Sequence, residues 1–309
     1  MPRTDYTVVR NHNYNRGELS IHERHNERKN TDYANEDIVP ERTCLNVHFK
    51  QPDATYTTCF DKLVQDGVIS TRGLKPDAHI VCEFVFDVNT AWFDEKGGYD
   101  FAKDFFAEAY KMAVKEVGDE RYILSAVMHA DERNKGLSEQ LGRDVFHYHL
   151  HVVYIPVVDK EIRWSKRCKD EALRGMVKEV IHQVSCSKKW AFQDALDDQG
   201  KPLQNAKGKP VRIPSYRQLQ DRFFEHMRAA GYDELQRGEM GSNAKNLTTL
   251  EYKLQQEQKR LDETTALADK QEAKVEKLTA QLSKGKKMIM TFDQLDNAGR
   301  KTPSRKTGA

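Results

Sequence analysis

His147-Tyr-His149-Leu-His151-Val-Val-Tyr-Ile-Pro156, with His129-Ala-Asp-Glu132 upstream of it, is the stretch that decides the fold. Alternate side chains of a strand share a face, so His149 and His151 stand side by side while Leu150 points to the opposite, apolar face. Upstream, Tyr122-Ile-Leu-Ser-Ala-Val-Met128 is an apolar, partly β-branched run, which predicts a buried strand ending at His129. A neutral imidazole is a good ligand for Mn, Zn or Ni. His129, His149 and His151 on neighbouring strands would give three protein ligands with positions left open. Such a metal can take a substrate oxygen and polarise a phosphoryl group, which suits a nuclease. The competing reading, ordinary polar residues on a wet sheet face, fits a lone histidine better than His-x-His preceded by His-x-x-Glu.

Outward from this stretch, the pattern predicts strands at 6–10, 78–86, 122–129 and 145–158. A helix at 99–117 carries its apolar residues at helical spacing (Phe101, Phe105, Phe106, Ala109, Tyr110, Ala113, Val114). This is an α+β pattern, an antiparallel β-sheet flanked by helices. Residues 160–243 bring the basic segment Arg163-Trp-Ser-Lys-Arg-Cys-Lys169, an expected helical stretch to about 195, a Gly/Pro-punctuated loop at 200–214, and a helix at 215–230 ended by Gly231. From about 246 to 283 the chain has no Gly or Pro. Leu247, Leu250, Leu254, Leu261, Ala268, Val275, Leu278 and Leu282 fall on a and d positions of one heptad register, with Glu257, Thr264 and Gln271 between them. A loose coiled coil is expected, against the plainer reading of a solvated helix. The implied organisation is a catalytic and DNA-binding domain at 1–243, a coiled-coil helix at 244–284 and a basic, flexible tail at 285–309.

Composition bounds the rest. The 309 residues allow one or two domains with a real core. A formal net charge of +2 with 32% charged residues does not announce a nucleic-acid partner, so local distribution must decide it. The five cysteines have no Cys-x-x-Cys spacing and no signal peptide precedes them, which predicts a reducing, cytoplasmic setting. No apolar run approaches the ~18 residues needed to span a bilayer.

A second constellation lies near the amino terminus: His22-Glu-Arg-His25-Asn26-Glu27-Arg28-Lys29-Asn30, then Glu41-Arg42-Thr43-Cys44-Leu45-Asn46. Cutting a phosphodiester while conserving its bond energy needs a side-chain nucleophile, a metal over the non-bridging oxygens and cations on the flanking phosphates. His25, or a tyrosine, fits the first role, and Arg28 and Arg42 fit the last.

Taken in order, these blocks resemble the MobV-type (Pre/Mob) plasmid mobilisation relaxases, also called plasmid recombination enzymes. His25-Asn26-Glu27-Arg28 with Glu41-Arg42-Thr43 and Asn46 is similar to the family's first two motifs. His129-x-Asp131-Glu132 with His149-x-His151 and the closing Val-x-Ile-Pro resembles its metal motif. Gln218-Leu-Gln-Asp-Arg-Phe-Phe-Glu-His-Met227 and Arg237-Gly-Glu-Met-Gly-Ser242 resemble the end of its catalytic domain. The resemblance implies a relaxase whose histidine-hydrophobe-histidine pair binds Mn or Mg. It would nick one strand at a transfer origin, with His25 attacking phosphorus, keeping the 5′ phosphate and releasing a 3′ hydroxyl. Glu132 would hold or orient the metal site, Asn26 and Arg28 would orient the nucleophile and contact phosphate, and Asn46 would contact DNA. Implied partners are single-stranded or hairpin origin DNA, a second copy through the coiled coil, and the conjugative machinery of a helper element.

Two departures from the family pattern stand out. Tyr148 replaces a common proline, and His147 adds a third imidazole on the same face as the pair, whether as ligand, proton carrier or substrate contact. Residues 133–146 form an insertion, read either as a loop that reaches DNA or as a spacer. Glu83, in an otherwise apolar strand, is costly unless paired and is expected to face the site. His182 reads as a helix-surface residue and Trp164 as a packed indole or a base-stacking ring. Rival functions are a non-enzymatic DNA-binding protein, a hydrolase using metal-bound water without an adduct, and a rolling-circle replication initiator with a tyrosine nucleophile.

Overall fold

A computed structural model of the chain describes residues 5–33, 35–195, 200–237 and 249–299. The chain divides into two units, Met1–Gly241 and Ser242–Ala309. In the first, the elements run β1 (Val8–Asn15), α1 (Leu19–Asn26), β2 (Val47–Lys50), α2 (Tyr56–Gln65), β3 (His79–Asp87), α3 (Thr90–Lys96), α4 (Tyr99–Val117), β4 (Ile123–Arg133), α5 (Lys135–Leu141), β5 (Phe146–Tyr154), β6 (Val157–Arg163), β7 (Val177–Val184), α6 (Cys186–Lys189), β8 (Phe192–Asp194), β9 (Arg212–Pro214) and α7 (Ser215–Ala229). The second unit's described element is α8 (Thr249–Gly299).

Five strands form one antiparallel sheet in the order β1-β3-β5-β4-β2. Its two faces differ in chemistry because each strand alternates. Phe84 and Phe86 on β3, Leu150, Val152 and Tyr154 on β5, and Met128 on β4 are buried on one face. Against it packs α4, whose buried Ala102, Phe105, Phe106, Ala109, Met112 and Ala113 recur at three- and four-residue spacing. The helix stops at Gly118, whose φ of 93° is one that a side chain resists. From α7, Phe223 meets Phe86 edge-on, with ring centroids 4.8 Å apart. The opposite face carries Glu83, His129, His149, His151 and Ser125, under α1 and α2.

Three expectations change here. The stretch expected as one strand at 145–158 breaks at Ile155-Pro156 into β5 and β6: proline has no N–H for the ladder, and its carbonyl instead accepts from Ser185 N. The helix expected before residue 195 is largely strand β7, because Val177, Val180, Ile181 and Val184 pair with β6 in register. His182 therefore sits on a strand, bonded to Asp159 Oδ1 at 2.8 Å, and not on a helix. The insertion 133–146 closes the β4–β5 hairpin: Arg133 pairs with Phe146, Asn134 caps α5 through Leu137 N, and Gly142 (φ 65°) ends it.

In the second unit α8 is 51 residues long, about 77 Å at 1.5 Å per residue. It continues past Ser283 to Gly299, so residues 285–299 are helical. Leu254, Leu261, Val275, Leu278 and Leu282 all lie exposed along it. No described helix is long and apolar enough to cross a membrane. Residues 238–242 of the last family-like block lie outside the described residues.

Candidate metal centre and nucleophile

The register of β4 and β5 builds the centre. His129 pairs with His149 and Val127 with His151, so the three imidazoles converge on one face with ring centroids 4.7 to 5.1 Å apart. A β-bulge then inserts one residue between His129 and Glu132, which brings Glu132 back to the histidine side. Glu132 Oε1 lies 3.9 Å from His129 Nδ1 and 3.7 Å from His149 Nε2.

Hydrogen bonds fix the lone pairs. His129 Nε2 donates to the Asn26 carbonyl at 2.8 Å, which leaves Nδ1 as the free acceptor. His151 Nδ1 donates to Glu83 Oε1 at 2.9 Å, and its buried Nε2 has no hydrogen-bond partner among the described residues. His129 Nδ1 is only 3.2 Å from His149 Nε2. Two such nitrogens repel unless a proton or a cation lies beside them. Burial first, and then the neighbouring His151, hold the pKa of His129 and of His149 well below the ordinary value, so protons are a poor answer. Two overlapping donor groups fit a divalent cation: His129, Glu132 and His149 on one side, and His25, His129 and His151 on the other, with His129 common to both. His147 is turned elsewhere: Nδ1 meets Thr90 Oγ1 at 2.9 Å and Nε2 is 3.6 Å from Asp87 Oδ2.

His25 stands at the end of α1, its ring 5.8 Å from that of His129 and 6.0 Å from that of His151. Burial, His151 and Arg28 lower its pKa to about 4, so its imidazole is neutral at pH 7. Two buried carboxylates hold this helix end in place. Glu83 accepts from Tyr14 Oη and Asn26 Nδ2, each at 2.5 Å, as well as from His151. Burial alone would raise its pKa, but His151, Tyr14 and Asn26 outweigh that and hold it at about 2. Asp131 accepts from Arg28 twice (2.9 and 2.7 Å), from Thr43 Oγ1 at 3.0 Å and from Asn46 Nδ2 at 2.9 Å.

The polar motif residues have partners within the chain. The Arg28 side chain is 3% exposed, and its guanidinium bridges Asp131, Glu132 and the His25 carbonyl. Its backbone, at φ 50°, adopts the strained left-handed turn that ends α1. Asn26 is buried and bonded to Glu83, and Asn46 is bonded to Asp131 and Ala130 N. Arg42 donates to the Ala130 carbonyl and lies flat on the Phe146 ring, 3.5 Å from its centroid. Tyr14, Thr43 and Asp131 were not among the expected site residues. Thr43 and Asp131 stood inside the motif blocks without an assigned role, and Tyr14 lay outside them.

Comparison with known proteins follows the same lines. The chain is 26% identical over 258 residues to a plasmid recombination enzyme of Bacillus sp, covering 83% of this chain and 48% of that protein. It is 26% identical over 239 residues to the type 2 plasmid recombination enzyme of Staphylococcus aureus (strain Mu50 / ATCC 700699), covering 77% and 43%. The chain thus spans just under half the length of these relatives. Among solved structures, the Mn-bound MobM relaxase domain in complex with origin-of-transfer DNA of plasmid pMV158 superposes with a TM-score of 0.55 at 22% identity, over 80% of this chain and 97% of that one. At that identity the likeness is one of fold. The family model described as plasmid recombination enzyme (Mob_Pre) matches residues 3–216, and the chain belongs to that family.

Proposed function

We propose that the chain is a metal-dependent DNA relaxase that cuts one strand at a plasmid transfer origin and keeps the cut end. The observation that carries this reading is a neutral, half-buried His25 whose ring stands about 6 Å from two histidines of a cation-ready cluster. The neutral imidazole attacks the scissile phosphorus, the bond to the 3′ oxygen breaks, that oxygen takes up a proton to become a 3′ hydroxyl, and the 5′ phosphate stays on His25. Reversal rejoins the strand. When bound, a divalent cation on His129, His149 and His151 supplies charge over the non-bridging phosphate oxygens. Three imidazoles suit Mn better than Mg, which favours an oxygen shell. Arg28, Asn26 and Glu83 position the helix that carries His25.

A tyrosine nucleophile has less support. The Tyr14 hydroxyl is committed to Glu83, and burial with that carboxylate raises its pKa far above the ordinary value. The family resemblance further supports mobilisation or recombination of plasmids in the cytoplasm, with origin DNA as substrate, dimers forming through the apolar row of α8, and a helper element's conjugative machinery downstream.

The test uses a supercoiled plasmid carrying the chain's own mobilisation region, with Mn. Expected is relaxed plasmid with protein on the 5′ end, through a phosphoramidate that is labile in acid and stable in base. His25→Ala should abolish the adduct while Mn binding and origin binding persist. An adduct that survives both acid and His25→Ala would move the chain to the tyrosine class, and relaxation with no adduct would make it a hydrolytic nuclease.

A further inference from the structure

The ribbon β6–β7 is not used by the chemistry described so far. Its base is anchored: Ser70 N donates to the His182 carbonyl at 2.7 Å, Val184 N to the Ser70 carbonyl at 2.9 Å, and Gln183 Nε2 to the same oxygen at 3.0 Å. Its far end is also ordered, with Trp164 N bonded to the Met176 carbonyl, Gly175 N to the Trp164 carbonyl, and Arg174 Nε to the Cys168 carbonyl. A stiff ribbon therefore carries a formed tip.

Charge sorts unevenly along it. Residues 157–184 hold seven Lys and Arg against five Asp and Glu. Every acid has a partner: Asp159 has His182, Glu161 has Arg163, Glu171 has Arg174, Glu179 faces Arg72 at 3.7 Å, and Asp170 accepts from Ala172 N. At the tip, Lys166, Arg167 and Lys169 are exposed within four residues, and their side chains make no hydrogen bond or ion pair among the described residues. Three free cations this close repel one another, and a row of phosphates relieves that repulsion.

We propose that the β6–β7 ribbon is a clamp for duplex DNA: Lys166, Arg167 and Lys169 grip the phosphate backbone of a base-paired segment beside the bond that His25 attacks. The proposal rests on the relaxase reading above. A two-stranded antiparallel ribbon matches the width of a DNA major groove. A single strand would need open aromatic faces for stacking, whereas the ribbon's one aromatic residue, Trp164, is half-buried with Lys178 Nζ 5.0 Å over its ring. Lys166 follows His151 by 15 residues and Lys169 by 18. At ~3.3 Å each, that places the tip no more than about 50 to 60 Å along the chain from the metal centre, within the span of a short duplex stem.

The test compares two DNAs with the full-length chain: a single strand covering the nick site, and the same strand joined to a base-paired stem. In the variant Lys166→Ala/Arg167→Ala/Lys169→Ala, affinity for the stem-bearing DNA should fall at least tenfold near physiological salt. The slope of log affinity against log salt should flatten by about 2 to 3, at ~0.9 per lost phosphate contact. Affinity for the single strand should keep its wild-type value. An equal loss on both DNAs would make the tip a single-strand contact, and no loss on either would make it a solvated face; both overturn the clamp. A wild-type chain that prefers the stem, loses that preference in the variant, yet never forms an adduct would leave the clamp standing and sink the relaxase reading.

Discussion

Glu83→Gln isolates charge from shape at the buried carboxylate that joins the nucleophile's helix to the metal centre. Glutamine can keep every contact: its oxygen accepts from Asn26 and His151, and its amide donates to the Tyr14 hydroxyl, which turns to accept. What is lost is the anion. Glu83 is 3% exposed, and its pKa is held at about 2 against an ordinary 4.5. At 1.36 kcal/mol per pKa unit, the fold favours the charged form by about 3 kcal/mol. The metal-free variant should therefore be less stable at pH 7 by up to that amount in urea denaturation. Because the folded pKa is depressed, this stabilisation is present above pH 4.5 and is lost as the pH falls toward 2, so the gap between wild type and variant should narrow below pH 4.5. His151 also loses the anion that fixes its tautomer and ring orientation, which predicts a 10–100-fold weaker Mn affinity by calorimetry, or ~1.4–2.7 kcal/mol. Mn affinity within threefold of wild type would refute the claim that Glu83 positions the ligand.

Arg28→Ala strips the guanidinium from Asp131 and Glu132, whose side chains are 0% and 14% exposed, and should cost ~3–5 kcal/mol of stability. A loss below ~1 kcal/mol coupled to weaker, less salt-dependent DNA binding would restore Arg28 to a phosphate contact. His25, His129 and His149 are all held below the ordinary histidine pKa, so the metal-free chain is most stable above pH 6.5 and should lose melting temperature as the pH falls through about 4; a flat profile in EDTA between pH 7 and 4 would contradict this. Leu261→Glu with Val275→Glu, both on the exposed row of α8, should shift sedimentation from dimer to monomer without changing the melting of Met1–Gly241, and a wild-type chain that is monomeric at tens of micromolar would remove the basis for that expectation.

Strand periodicity and a few histidines carried most of the legible information. The α+β class, helix α4 and the convergence of His129, His149 and His151 follow from alternation and from helical spacing, which are local properties of the chain. Helix ends with a strong stop, such as Gly118 and Gly231, were legible for the same reason. The segment before residue 195 was not, because the alternation of β7 is masked by charged residues: a ribbon exposed on both faces shows no apolar face to read. The bulge after His129 was invisible as well. It exists only relative to β5, yet it decides that Glu132 and not Asp131 joins the metal site.

The partners of the expected DNA-contact residues within the chain were illegible for a related reason. A cation or an amide in a hydrophilic run has the same sequence signature whether its partner is a phosphate of the substrate or a carboxylate of its own chain. For Asn26 the partner is Glu83, 57 residues away; for Arg28 it is Asp131, 103 residues away. Neither pairing can be read before the sheet register is known. Once it is, the motif reads as scaffolding: Asp131 ties the β4 bulge to the end of α1 through Arg28 and to the turn Pro40–Leu45 and the residue after it through Thr43 and Asn46. The φ of 50° at Arg28 is strain that this network holds, and it turns the chain directly after the helix that presents His25. Arg28, Asn26 and Asn46 are each bonded inside the protein, whereas the exposed cations of the ribbon tip, Lys166, Arg167 and Lys169, have no such partner among the described residues.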